Sequence, residues 1–103
     1  MLLVTVSHRD GREGTFPVWP SVEYAYESDK ETGTFDALWS EESPAPKHHH
    51  YRLAYYAALK AGAVGLGEVF DKWLDTVAGI RYGKADKDGN PTQEEPPPNS
   101  TPS

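Results

Sequence analysis

Leu66, Val69, Phe70, Trp73, Leu74 and Val77 recur at i, i+3, i+4, i+7, i+8 and i+11, while Glu68, Asp71, Lys72 and Asp75 occupy the positions between them. Residues with that period share one stripe of a helix, so an amphipathic helix ending near Gly79 is expected, with Trp73 at the centre of its buried face. A second helix is expected just upstream, from about His48 to Ala61, with Tyr51, Ala54, Tyr55 and Ala58 on one side and Gly62 capping its end. The linker Gly62-Ala63-Val64-Gly65 is short, and short connections join antiparallel neighbours. The two helices are therefore expected to pair.

Before them, Leu2, Val4 and Val6 alternate with Leu3, Thr5 and Ser7, and Thr15-Phe16-Pro17-Val18-Trp19 forms a second extended run. Asp10-Gly11 between the runs supplies a residue that tolerates positive φ, which predicts a β-hairpin whose second strand is short or at an edge because Pro17 cannot donate to a ladder. Ser21 is placed to cap a helix carrying Val22, Ala25 and Tyr26 on one face, with Gly33 ending it. A short turn is expected at Phe35 to Trp39, and the stretch Ser40 to Pro46 reads as an exposed connection. After Tyr82 the composition shifts to charge, glycine and proline, which cannot supply a core and predicts a disordered tail. The expected fold is thus α+β but mainly α: an N-terminal hairpin, then three to four short helices, the last two an antiparallel pair. This gives a partner-binding domain at residues 1–82 and an acidic, proline-rich tail at 83–103.

Composition narrows the chemistry. With 103 residues and no cysteine, the chain has no disulfide framework, thiolate zinc site or cysteine nucleophile, which fits a reducing compartment. A net charge of −6 opposes binding to nucleic acid or to anionic lipid. No basic residue precedes the run Leu2-Leu3-Val4, and no stretch approaches the roughly 18 apolar residues of a membrane span. Neither a signal peptide nor a transmembrane helix is expected.

His48, His49 and His50 invite a metal reading, but consecutive helical positions diverge by about 100°, and no acid or cysteine joins them at ligand spacing. A solvated helix start is the expected reading. Asp86-Lys87-Asp88-Gly89-Asn90 resembles the opening of a calcium loop, yet Pro91 and Pro97 stand where that loop needs glycine and a bidentate glutamate. No nucleophile elbow, phosphate loop or His-Glu-x-x-His motif is present, so no catalytic, cofactor or metal residue is assigned and the chain is not expected to be an enzyme. The aromatic residues are more telling. Tyr55 and Tyr56 are adjacent and cannot both face one small core, and tyrosine and tryptophan are enriched where proteins bind proteins. The candidate partner contacts are Trp39, Tyr55, Tyr56, Leu66, Phe70 and Trp73.

The order of parts resembles one family. A hairpin around Asp10-Gly11, the prolines Pro17 and Pro20, the helix residues Tyr24-Ala25-Tyr26-Glu27 and the segment Gly33-Thr34-Phe35-Asp36-Ala37-Leu38 precede two helices. Of these, Tyr55-Tyr56-Ala57-Ala58-Leu59-Lys60-Ala61-Gly62 is similar to an "Ala-x-x-x-Leu-Lys-x-Ala-Gly" helix end, and Val69-Phe70-Asp71-Lys72-Trp73-Leu74-Asp75 to a "Phe-x-x-Trp/Phe-Leu-Asp" helix. Together, over roughly residues 3–80, they resemble the tail assembly chaperones of long-tailed bacteriophages. Pro44-Ala45-Pro46 and the histidine run depart from that pattern. The resemblance implies a protein of the infected bacterial cytoplasm, absent from the finished virion, that coats the tape-measure protein, keeps it soluble and helps recruit tail-tube subunits. Self-association is compatible with that role. A small acidic adaptor or regulator that inhibits or bridges another protein is the alternative the residues allow.

Overall fold

Alternating apolar and polar residues build the first strand, β1 (Leu2–His8), and a short second strand, β2 (Glu13–Pro17), returns antiparallel to it with Val4 opposite Phe16 and Ser7 opposite Glu13. The turn between them is set by local chemistry. Gly11 N–H donates to His8 O at 3.0 Å, His8 N–H donates to Arg12 O at 2.8 Å, and Gly11 takes φ +93°, a conformation that costs glycine nothing. The Asp10 carboxylate accepts from the Arg12 backbone N–H and side chain, which holds Asp10 below the usual carboxylate range. Helix α1 (Pro20–Glu27), a 3₁₀ turn (Phe35–Trp39), helix α2 (Lys47–Lys60), helix α3 (Phe70–Asp75) and strand β3 (Val77–Lys84) follow. This computed structural model describes residues 1–84 apart from Glu31, Pro44 and Leu66.

β3 overturns the expected architecture. The chain is not mainly α, and no antiparallel helix pair closes it. Instead β3 runs antiparallel along the free side of β1, giving a three-stranded sheet in the order β2-β1-β3 with Val4 opposite Tyr82 and Val6 opposite Ile80. The hairpin is thus two thirds of a sheet and not a separate N-terminal piece.

Two physical reasons explain the difference. A two-stranded hairpin is marginal in water, and β1, with Val4 and Val6 fully buried, needs neighbours on both sides. The stretch after Asp75 offers β-branched and aromatic residues, Thr76, Val77, Ile80 and Tyr82, that suit a strand better than a helix. Upstream, Gly67 at φ +75° and Val69 in an extended conformation exclude a helical start before Phe70. Val77 therefore belongs to β3 and not to the helical stripe, and β3 reaches two residues beyond the expected domain boundary at 82. The tail assigned to disorder lies, from residue 85 onward, outside the described residues.

Smaller differences follow the same logic. α1 is capped by Trp19 with Pro20 at its first position, so Ser21 sits inside the first turn and does not cap; the helix ends at Glu27, well before Gly33. α2 ends where glycine allows it. Gly62, at φ +76°, donates to Leu59 O at 3.1 Å while Ala63 N–H donates to Ala58 O at 2.9 Å, the paired bonds of a Schellman cap.

The helices cover one face of the sheet, and α2 lies at the centre. Leu53, Ala54, Tyr55, Ala57 and Ala58 are all buried, an apolar surface too broad for one interface, because α2 packs on β1 and β2 below and on α1 and α3 beside it. Its alanines permit those close approaches. Trp73, only 2% exposed, fills the space between α2, α3 and the sheet, with its ring set edge-on to Tyr55 and to His8. On the opposite face, where Leu3 is buried, the half of the sheet toward the hairpin turn is polar. Thr5 and Thr15 share a hydrogen bond of 2.8 Å, and Arg81 reaches diagonally over β1 to hold the Glu13 carboxylate with its two terminal guanidinium nitrogens at 2.8 and 3.1 Å. The Arg81 bonds, with a weaker one from Ser7, keep Glu13 below its ordinary range.

Candidate partner-binding face

The five expected contact residues that the structure describes do not form one surface. Tyr55, Phe70 and Trp73 are brought together, but inside the core: the Tyr55 ring lies 5.5 Å from both other rings, and its hydroxyl donates to Glu68 O at 3.0 Å. Tyr56 is half-buried beside them. Its hydroxyl donates to Asp29 Oδ2 at 2.6 Å, the Arg52 guanidinium approaches the same oxygen at 3.5 Å, and that guanidinium also stacks on Phe70 with its central carbon 3.9 Å from the ring centre. Burial first, and then the hydrogen bond to Asp29, push the Tyr56 phenol up to about 12. This cluster ties the end of α1 to α2. Leu66 lies outside the described residues.

Trp39 is the candidate that stands at the surface, 42% exposed, and the fold gives it partners that the sequence did not suggest. The 3₁₀ turn places Phe35 beneath it at 5.7 Å between ring centres, while α2 brings His50 to 5.6 Å and β3 brings Tyr82 to 5.1 Å, all edge-on. His50 Nδ1 and Tyr82 Oη share a hydrogen bond of 2.7 Å. Burial lowers the His50 imidazole, with the neighbouring His49 adding to it, and burial raises the Tyr82 phenol, with Tyr26 adding to it. Both groups therefore stay neutral at pH 7. Next to this stack opens a concavity of about 300 Å³ lined by Lys47, His50, Tyr51, Ile80 and Tyr82.

The resulting face is mixed: aromatic rings with fixed orientation, an apolar floor from Ile80 and Tyr51, and one exposed ammonium at Lys47. Such a site can receive an apolar side chain and orient it by a hydrogen bond or a charge, which is how protein-binding pockets are built. His50, Tyr82, Ile80 and Lys47 were not among the expected contacts. A signal for His50 exists in the spacing, since it lies four residues before Ala54 on the buried side of α2; a histidine-run reading obscured it.

A second concavity of about 390 Å³ lies at the hairpin end, among His8, Arg12, Glu13, Gly14, Phe16 and Ala63. Its charges are already engaged, Arg12 by Asp10 and Glu13 by Arg81. Among the described residues no group of three or more histidine, aspartate or glutamate side chains is placed to hold a metal ion, and the rings of His48 and His49 face each other edge-on at 4.4 Å. No helix among the described residues is long and apolar enough to cross a membrane. Comparison with protein-family models, with curated proteins and with solved structures returned no match.

Proposed function

We propose that the protein is a tail assembly chaperone of a long-tailed bacteriophage, acting in the infected cytoplasm to bind the tape-measure protein, keep it soluble and help recruit tail-tube subunits. The observation that carries the reading is the Trp39 face. A tryptophan 42% exposed yet fixed by Phe35, His50 and Tyr82, next to a concavity of about 300 Å³, is a surface suited to apolar side chains of another protein. The resemblance of the α2 and α3 segments to the family supplies the identity of the partner. A groove between two paired helices is not part of the proposal, because that pair is not the fold; the contact moves to the edge where the 3₁₀ turn, α2 and β3 meet. The excess of acidic residues, −6 overall, would keep a loaded complex dispersed by mutual repulsion.

Co-expression with the tape-measure protein tests this. The expected result is a soluble complex that co-elutes on size exclusion and weakens when Trp39→Ala removes the ring. A tape-measure protein that stays insoluble and unbound beside well-folded chaperone would overturn the assignment and favour an adaptor or regulator.

A further inference from the structure

The sheet register decides which way the backbone of β3 points. Leu2 O accepts from Val18 N–H at 2.9 Å and His8 N–H donates to Arg12 O at 2.8 Å, so the even-numbered residues of β1 face β2. Leu3, Thr5 and Ser7 then face β3, where their opposite residues are Gly83, Arg81 and Gly79. Antiparallel alternation aims the N–H and C=O groups of Ile80 and Tyr82 away from β1. Among the described residues no strand lies beyond β3 in the sheet.

The two edges are not equivalent. On β2 the same alternation turns Glu13, Thr15 and Pro17 outward; Pro17 has no N–H to offer, which blunts that edge. β3 contains no proline across its eight residues. Moreover, the side chains of Ile80 and Tyr82, whose backbone groups point outward, also line the concavity beside Trp39. The hydrogen-bonding edge and the side-chain pocket are thus one continuous feature.

The charge around it selects the occupant. Lys47 is the first residue of α2, is exposed, and forms no ion pair among the described residues; the first turn of α2 contains no acid and no side chain caps it. The positive end of the helix dipole and an ammonium therefore stand together at the pocket of a protein that is acidic overall. A second copy is a poor occupant, since apposing two β3 edges brings two such positive ends together. We propose that the outer edge of β3 receives an extended segment of a partner protein as a fourth strand, seating an apolar side chain in the pocket beside Trp39 and an acidic side chain against Lys47. Main-chain bonds would supply affinity and the alternate side chains specificity, as in other strand-addition complexes. This names a recognition mode for the face described above and rests on its being a partner surface, whichever protein the partner is.

The test is selection of a random peptide library on the full chain, followed by hydrogen exchange and titration with the enriched peptides. The expected peptides place an acidic residue near alternating apolar ones. Their binding slows exchange at the Ile80 and Tyr82 amides more than at Gly79 and Arg81, which already face β1. Lys47→Glu, a surface change compatible with a helix start, weakens binding at least about tenfold. Selection of no peptide, protection confined to another element, or unchanged affinity in Lys47→Glu would overturn strand addition. Peptides that bind the face as helices would overturn it while leaving the partner surface intact, and the co-expression experiment reads the chaperone role independently.

Discussion

The Tyr56 hydroxyl lies 2.6 Å from Asp29 Oδ2 and donates to it, linking the second turn from the end of α2 to the loop that follows α1. With Arg52 at 3.5 Å from the same oxygen, both side chains of that ion pair being less than one-fifth exposed, the carboxylate fixes how α1 lies against α2. Removing the hydroxyl leaves the acid one donor short. Tyr56→Phe is expected to cost about 1.5–3 kcal/mol in urea unfolding, the range for hydrogen bonds to charged groups. The phenol, pushed up to about 12, stays protonated beyond the ordinary tyrosine value of 10.0. A raised pKa stabilises the fold below the unfolded value and is lost as pH rises through the folded one, so this contribution should disappear between about pH 10 and 12. Equal stability of Tyr56→Phe and the parent would show the bond to be idle.

Tyr26 makes the opposite case. Its side chain is fully buried, yet its hydroxyl makes no hydrogen bond of good geometry, the Gly33 backbone N–H being the donor it faces. A buried hydroxyl without a partner carries a desolvation cost, and removing it restores nothing that the fold used. Tyr26→Phe is therefore expected to be neutral or to stabilise by about 1 kcal/mol. A clear loss of stability would mean that the hydroxyl is bonded, by the Gly33 N–H or through an ordered water.

Trp73 is 2% exposed and touches Tyr55, Phe70 and His8. Truncation would leave a cavity that α2 and the sheet cannot both close. Trp73→Ala should lose about 3–5 kcal/mol, enough to unfold much of a domain this small. A loss below about 1 kcal/mol in chemical denaturation would contradict its burial.

These residues also show how far the sequence could be read. Trp73 was legible because its neighbours Phe70 and Leu74 fit helical spacing, and the α2 end was legible because Gly62 follows a run of good helix formers. β3 was not. Val77 continues the helical stripe as well as it opens a strand, and Gly79 and Gly83 look like the end of structure; only the need of β1 for a second neighbour decides the matter, and that need is tertiary. The candidate face suffered in the same way. Trp39 could be named as an exposed aromatic, but His50 and Tyr82, 32 residues apart, meet only because β3 joins the sheet.

Glycine chemistry at the α2 end gives a sharper local test. Gly62 holds φ +76°, where any side chain is strained, whereas Gly65 has open space around it and no such φ. Gly62→Ala should cost about 1–2 kcal/mol through that strain. Gly65→Ala should be nearly neutral. Thermal melts of the two variants side by side separate a conformational requirement from a general intolerance of the loop, and equal losses would refute the Schellman assignment.

The pH response on the acid side depends on His50. Burial lowers its imidazole below the ordinary value of 6.5, with His49 adding to the effect, while its Nδ1 shares a bond with Tyr82 and its ring faces Trp39. Lys47 on the same pocket adds no negative charge that would favour the protonated form. In the window between the folded and unfolded values the unfolded chain binds the extra proton, so stability rises with pH there. The contribution is complete above pH 6.5 and is lost as pH falls from there through the folded value. Melting temperature should therefore fall on acidification below about pH 6.5. His50→Gln removes the titration and retains an amide able to bond Tyr82, so its melting curve should be flatter over that interval. If the variant keeps the parent's slope, the acid sensitivity belongs to another group and His50 does not sense the proton.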